Sequence, residues 1–140
     1  MKFSAHGKVT AYYEVNSGIL HIYITGPVNE EFIAEYESAL QPVRSTIKQS
    51  NWVSIVHING DAIISSAACS MVKQSILRAV EQGLFATAVI FYTRSGKLIF
   101  EDFWGKLYSE LGVKHAFFDN KDLAKKWLLS SRSKIKDNLN

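Results

Sequence analysis

From Trp52 to Met71 the chain reads WVSIVHINGDAIISSAACSM, and this stretch decides the fold. Trp52 to Ile58 is a nearly continuous apolar run, the pattern of a strand covered on both faces. Asn59-Gly60-Asp61 breaks it, and just after Ser65-Ser66 apolar residues recur at helical spacing through Ala68, Val72, Ile76, Ala79 and Val80. Gly83 is placed to close that helix. A buried strand that empties through a polar loop into a helix N-terminus is where open α/β sheets hold their ligands.

Working outward, Lys8 to Val15 and Ile19 to Thr25 read as two strands joined at Asn16-Ser17-Gly18. So short a connection makes them an antiparallel hairpin. Gly26-Pro27 ends the second strand. Asn29 is then a good N-cap, with Glu30 and Glu31 in the first turn of an amphipathic helix that Pro42 is expected to kink or divide. Phe85 to Tyr92 is another apolar strand. Lys97 to Leu111 is a helix with an aromatic stripe of Phe100, Phe103, Trp104 and Tyr108. Val113 to Phe118 forms the fifth strand. Asp119, with Asp122 three residues on, resembles a capping box, opening a helix that presents Leu123, Ala124, Trp127 and Leu128 to the core. The order β-β-α-β-α-β-α-β-α requires a mainly parallel sheet with right-handed crossovers and an antiparallel edge strand. One domain over residues 1–131 is expected, followed by a polar, basic tail at 132–140.

At 140 residues the chain can bury a core without staples, and its single cysteine, Cys69, allows no internal disulfide. No stretch reaches the ~20 apolar residues of a membrane span, and the first residues lack the apolar segment of a secretory signal. A soluble cytoplasmic protein is the expectation. The net charge is +3, and Lys121 to Asn140 carries six basic residues against two acidic ones, which leaves the remainder near neutral at −1. Such a segment reads first as a solvated helix end, with no nucleic-acid partner implied.

In a parallel sheet the loops after the strands share one edge. That edge should gather Asn59, Gly60, Asp61, Ser65 and Ser66 with Arg94 and Ser95. Gly-rich nucleotide loops and the Gly-x-Ser-x-Gly elbow are absent, and no cofactor is expected. His6, His21, His57 and His115 are never paired at metal-ligand spacing, so no metal site is expected either. Cys69 reads as a small buried residue. No catalytic residue is assigned, although a Ser66-dependent hydrolase, with His57 and Asp61 completing a triad, is one enzymatic alternative. Ser65 and Ser66 read first as an N-cap, and alternatively as a phosphoacceptor whose charge the helix N-terminus would stabilise. The stripe Phe100, Phe103, Trp104, Tyr108 reads first as core, and alternatively as the lining of a pocket for an apolar or lipid-like ligand.

The hairpin followed by strand, loop, serine and helix, over about Lys8 to Leu129, resembles the SpoIIAA-like or STAS family of anti-sigma-factor antagonists. That family's third strand runs into Asp-Leu-Ser-Gly and, a few residues later, Asp-Ser-Ser-Gly-Leu. His57-Ile58-Asn59-Gly60 and Ser65-Ser66-Ala67-Ala68-Cys69 fall on these segments, with His57 and Ser65 in place of the aspartates and Ala68 in place of the glycine. The resemblance implies a non-enzymatic regulatory module with a protein partner, and Ser66 stands at its phosphoacceptor position. A carrier or sensor of an apolar ligand is the alternative it allows, and pairing with a second copy is a further expectation.

Overall fold

A computed structural model describes residues 7–139, with side-chain surroundings through residue 134; His6 lies outside the described residues. The elements are β1 (Lys8–Glu14), β2 (Ile19–Thr25), α1 (Glu30–Arg44), β3 (Trp52–Asn59), α2 (Ser66–Glu81), β4 (Leu84–Phe91), α3 (Lys97–Glu110), β5 (Lys114–Phe117) and α4 (Lys121–Leu139). The strands form one sheet in the order β1-β2-β3-β4-β5. β1 pairs antiparallel with β2, and every other neighbour is parallel. The fold is therefore α/β with a mixed sheet and four helices.

The parallel strands β2 to β5 are laid down in sequence order, and right-handed crossovers between them place α1, α2 and α3 on one face. The core agrees. Phe32 and Leu40 of α1, Ala68 and Val72 of α2, and Phe100, Trp104 and Tyr108 of α3 pack with Leu20, Ile22, Val56 and Val89 of the sheet. On the opposite face Ala124 and Leu128 of α4 close over Ile19, Val53, Ile55 and Ala88. Strands β2, β3 and β4 contribute residues to both cores, as the pleat requires.

Some expectations are corrected in detail. Pro42 does not divide α1, because it sits in the last turn and the helix ends two residues later. Its missing N–H therefore removes one hydrogen bond close to the helix end and leaves the rest of α1 intact. Asp119 does not cap α4: Asn120 Oδ1 accepts from Leu123 N at 2.9 Å, while Asp119 pairs with Lys97. With the helix starting from Asn120, its buried stripe is Ala124, Leu128 and Ser131, which leaves Leu123 exposed. Val80 likewise falls on the exposed side of α2. Helix α4 continues through the segment expected to be a polar tail. Arg132 ties it down by donating Nη2–H to Ser17 O at 2.5 Å in the β1–β2 turn. Among the described residues no helix is long and apolar enough to cross a membrane.

Candidate functional site

The loops after β3 and β4 lie side by side at the carboxyl edge of the sheet. Gly60 has φ +77°, a conformation glycine adopts without strain, and its N–H donates to Thr93 Oγ1 at 2.8 Å. Asp61 is exposed, and its carboxylate accepts from Ile63 N at 2.9 Å to close an Asx turn. Gly26 fits against the same loop, since a Cβ there would meet Asp61 O at 1.7 Å. From the other side, the buried indole of Trp104 donates Nε1–H to Ala62 O at 2.7 Å. These contacts fix Asn59, Gly60 and Asp61 as a rigid shelf rather than a mobile loop.

Ser65 is the N-cap of α2, its Oγ accepting from Ala68 N at 3.2 Å. Ser66 is the first helical residue and is exposed. Of the two serines, the capping role falls to Ser65. Ser65 satisfies a helix-end amide, and Ser66 keeps an accessible hydroxyl above the others. Arg94 and Ser95 are also exposed, on the neighbouring loop. The Gly60–Thr93 bond joins the loop of Asn59, Gly60 and Asp61 to that of Arg94 and Ser95, and Ser65 and Ser66 follow at the head of α2. His57 is not in hydrogen-bond contact with Ser66: its Nδ1 lies 2.7 Å from Tyr92 Oη, on the α4 side of the sheet.

The same edge exposes large apolar side chains. Leu98 and Ile99, in the first turn of α3, are 80 % and 66 % exposed, and Ile63 on the shelf is 39 % exposed. Beside them is an open depression of about 860 Å³, lined by Tyr92, Arg94, Leu98, Ile99 and Asp119 among others. Lys97 forms an ion pair with Asp119 at its rim and holds that carboxyl below its usual range. The aromatic stripe faces elsewhere. Phe100, Trp104 and Tyr108 are buried in the three-helix core and Phe103 is half-buried. Two cavities next to Tyr108, one of them also next to Trp104, are about 40 Å³ each, the space of a few waters. Burial pushes the Tyr108 phenol above its ordinary value.

One feature was not anticipated from the residues. On the part of the α4 face that the helix leaves open, Tyr12, Tyr23, His57 and Tyr92 stand in a row across β1 to β4 and just beyond. Tyr23 and His57 stack at 4.2 Å between ring centroids, and Tyr12 and His21 at 4.7 Å. Tyr92 continues the row 5.8 Å from His57. The two histidines are buried, and His21 Nδ1 and His57 Nε2 have no hydrogen-bond partner among the described residues. Burial pushes His57 down to about 4, with His21 and Lys121 adding to the effect. His21 is lowered by burial too, against the opposing pull of Glu14 Oε1 at 3.2 Å. Reading His21 and His57 as packing residues located them inside the sheet. The row itself depends on cross-strand register, which no single strand reveals.

Among the described residues no three His, Cys, Asp or Glu side chains come together to hold a metal ion. No family model, curated protein or solved structure matches this chain.

Proposed function

We propose that this chain is a non-enzymatic regulatory module of SpoIIAA/STAS-like type that docks a protein partner on the carboxyl edge of its sheet. The observations that support the reading are the exposure of Leu98 and Ile99 in the first turn of α3, and of Ile63 after the β3 loop, at an edge held by backbone and side-chain hydrogen bonds. Adjacent apolar side chains left in water, as Leu98 and Ile99 are, are the usual centre of a protein interface, with polar groups around them. Asp61, Arg94, Ser95 and Ser66 supply that rim. An α/β fold with one antiparallel strand pair in an otherwise parallel sheet supports the reading only as to fold class. Ser66, exposed on the first turn of α2, is the residue at which a phosphate would meet the free amides of the helix start and alter the rim's charge.

The test is affinity capture from the cells in which the protein is made, comparing wild type with Leu98→Asp/Ile99→Asp, Ser66→Ala and Ser66→Asp. The reading expects a partner that wild type and Ser66→Ala retain and the apolar double variant loses. Ser66→Asp should shift its affinity. A partner held equally by all four proteins would remove this edge as the docking site.

A further inference from the structure

The sheet ends in two unlike edges. β5 has only four residues and opens on exposed Lys114, both of which discourage further pairing. β1 has seven, in unbroken register with β2 from Lys8↔Thr25 to Glu14↔Ile19, with neither proline nor bulge. Every second residue of an edge strand turns its N–H and C=O away from its neighbour. Among the described residues no strand pairs with that side of β1.

The strand reads KVTAYYE and is complementary to its own reverse. About a two-fold axis through Ala11, an antiparallel second copy sets Lys8 opposite Glu14, Val9 opposite Tyr13, Thr10 opposite Tyr12, and Ala11 opposite itself. The ends are opposite charges, and the inner pairs join a β-branched residue to an aromatic one, both favourable cross-strand combinations. The pairing also keeps faces matched. Lys8, Thr10, Tyr12 and Glu14 share the α4 side, while Val9, Ala11 and Tyr13 pack against the three-helix core. A slip of one residue would set the two faces against each other, and a slip of two would shorten the ladder and lose the charge pairing.

We infer that the chain forms a two-fold dimer through antiparallel pairing of β1 with β1 of a second copy, centred on Ala11. This goes beyond the docking edge, from which β1 is separated by β2. Tyr12, 47 % exposed at the end of the ring row, lies diagonal to its own copy in this register, so the row continues across the axis. A seven-residue pairing is a small interface, and a Kd in roughly the micromolar range is expected.

Sedimentation equilibrium over a concentration series, with native mass spectrometry, tests it. Wild type should dimerise, and Lys8→Glu and Glu14→Lys should each weaken the dimer at least about tenfold. The first variant sets carboxylate against carboxylate at both ends of the ladder, and the second sets ammonium against ammonium. An equimolar mixture of the two should associate again, because both end pairs become opposite in charge. Thr10→Lys, at an exposed position, should also weaken the dimer. Glu14 additionally bonds Ser17 and His21. If Glu14→Lys does not fold, Lys8→Glu and Thr10→Lys decide alone, and both must dissociate the dimer. A wild type that stays monomeric up to about 0.1 mM overturns the inference. So does a dimer indifferent to Lys8→Glu and Thr10→Lys, or two folded charge variants whose mixture does not associate.

Discussion

The two faces of the sheet are made by the same strands and are finished by different chemistry. Toward α1, α2 and α3, strand β3 turns Trp52, Val56 and Ile58. Toward α4 it turns Val53, Ile55 and then His57. The first face is closed by three helices, mainly through apolar side chains, with the buried Ser54–Thr87 and Trp104–Ala62 hydrogen bonds among them. The second is closed by Ala124 and Leu128 over its lower half only, and above them it ends in stacked tyrosines and histidines. Both faces add hydrogen bonds and ring contacts to burial, but the two buried histidines, His21 and His57, stand only on the second. Mutational cost and pH sensitivity should therefore separate by face.

The largest effect belongs to the closed face. Trp104→Ala removes a buried indole, opens a cavity and leaves the Ala62 carbonyl without its donor, so it should cost about 4 kcal/mol. Tyr12→Ala on the open face removes a half-exposed ring and should cost about 1 kcal/mol or less. Urea unfolding of the two variants measures the difference. Equal losses would mean that the ring row is as structural as the core beneath it.

Acid should act on the open face. His57 titrates near 4 in the folded protein against about 6.5 when unfolded. Above pH 6.5 it is neutral in both states and contributes no pH dependence. As the pH falls from 6.5 towards 4 the unfolded chain binds the proton first, so stability is lost across that window. A shift of this size corresponds to about 3 kcal/mol, and His21 acts in the same direction. His57→Phe keeps a ring in the stack but cannot titrate, so it should flatten much of the loss between pH 6.5 and 4. Tyr108→Phe, on the closed face, should leave the profile unchanged. Melting curves across this range decide the matter, and a full acid loss in His57→Phe would locate its origin elsewhere.

How far this division was legible in the sequence follows from the range of the interactions. Strand and helix order could be read because apolar period and turn residues are local. Asn29, for example, caps α1 as expected, its Oδ1 accepting from Phe32 N at 3.0 Å. The start of α4 was misplaced by one residue because Asp119 and Asn120 are both good caps. The choice between them was made by Lys97, 22 residues earlier, which engages Asp119. The shelf residues were found because topology alone brings loops after parallel strands together. Exposed Leu98 and Ile99 were not, since an apolar pair in a helix looks like core until the helix is docked. The ring row was hidden for a related reason. Tyr23 meets His57 only once β2 and β3 are in register.

The smallest effects separate the two serines at the head of α2. Ser65→Ala removes the acceptor for Ala68 N and should cost about 1 kcal/mol. Ser66→Ala touches no cap and should stay within about 0.5 kcal/mol of wild type. Ser66→Asp places a negative charge in a first turn that has no acidic residue, where the helix dipole favours it, and should stabilise by about 0.5 kcal/mol. Thermal or urea unfolding of the three variants reads these differences directly. The expected order bears on the proposed docking edge. If charge at position 66 leaves the fold intact or slightly firmer, any change it produces in partner binding is a change in the surface and not a loss of structure. A Ser66→Asp protein that unfolds more readily than Ser65→Ala would reverse that logic. Position 66 would then belong to the support of the shelf, and its hydroxyl would no longer be free to serve as a switch.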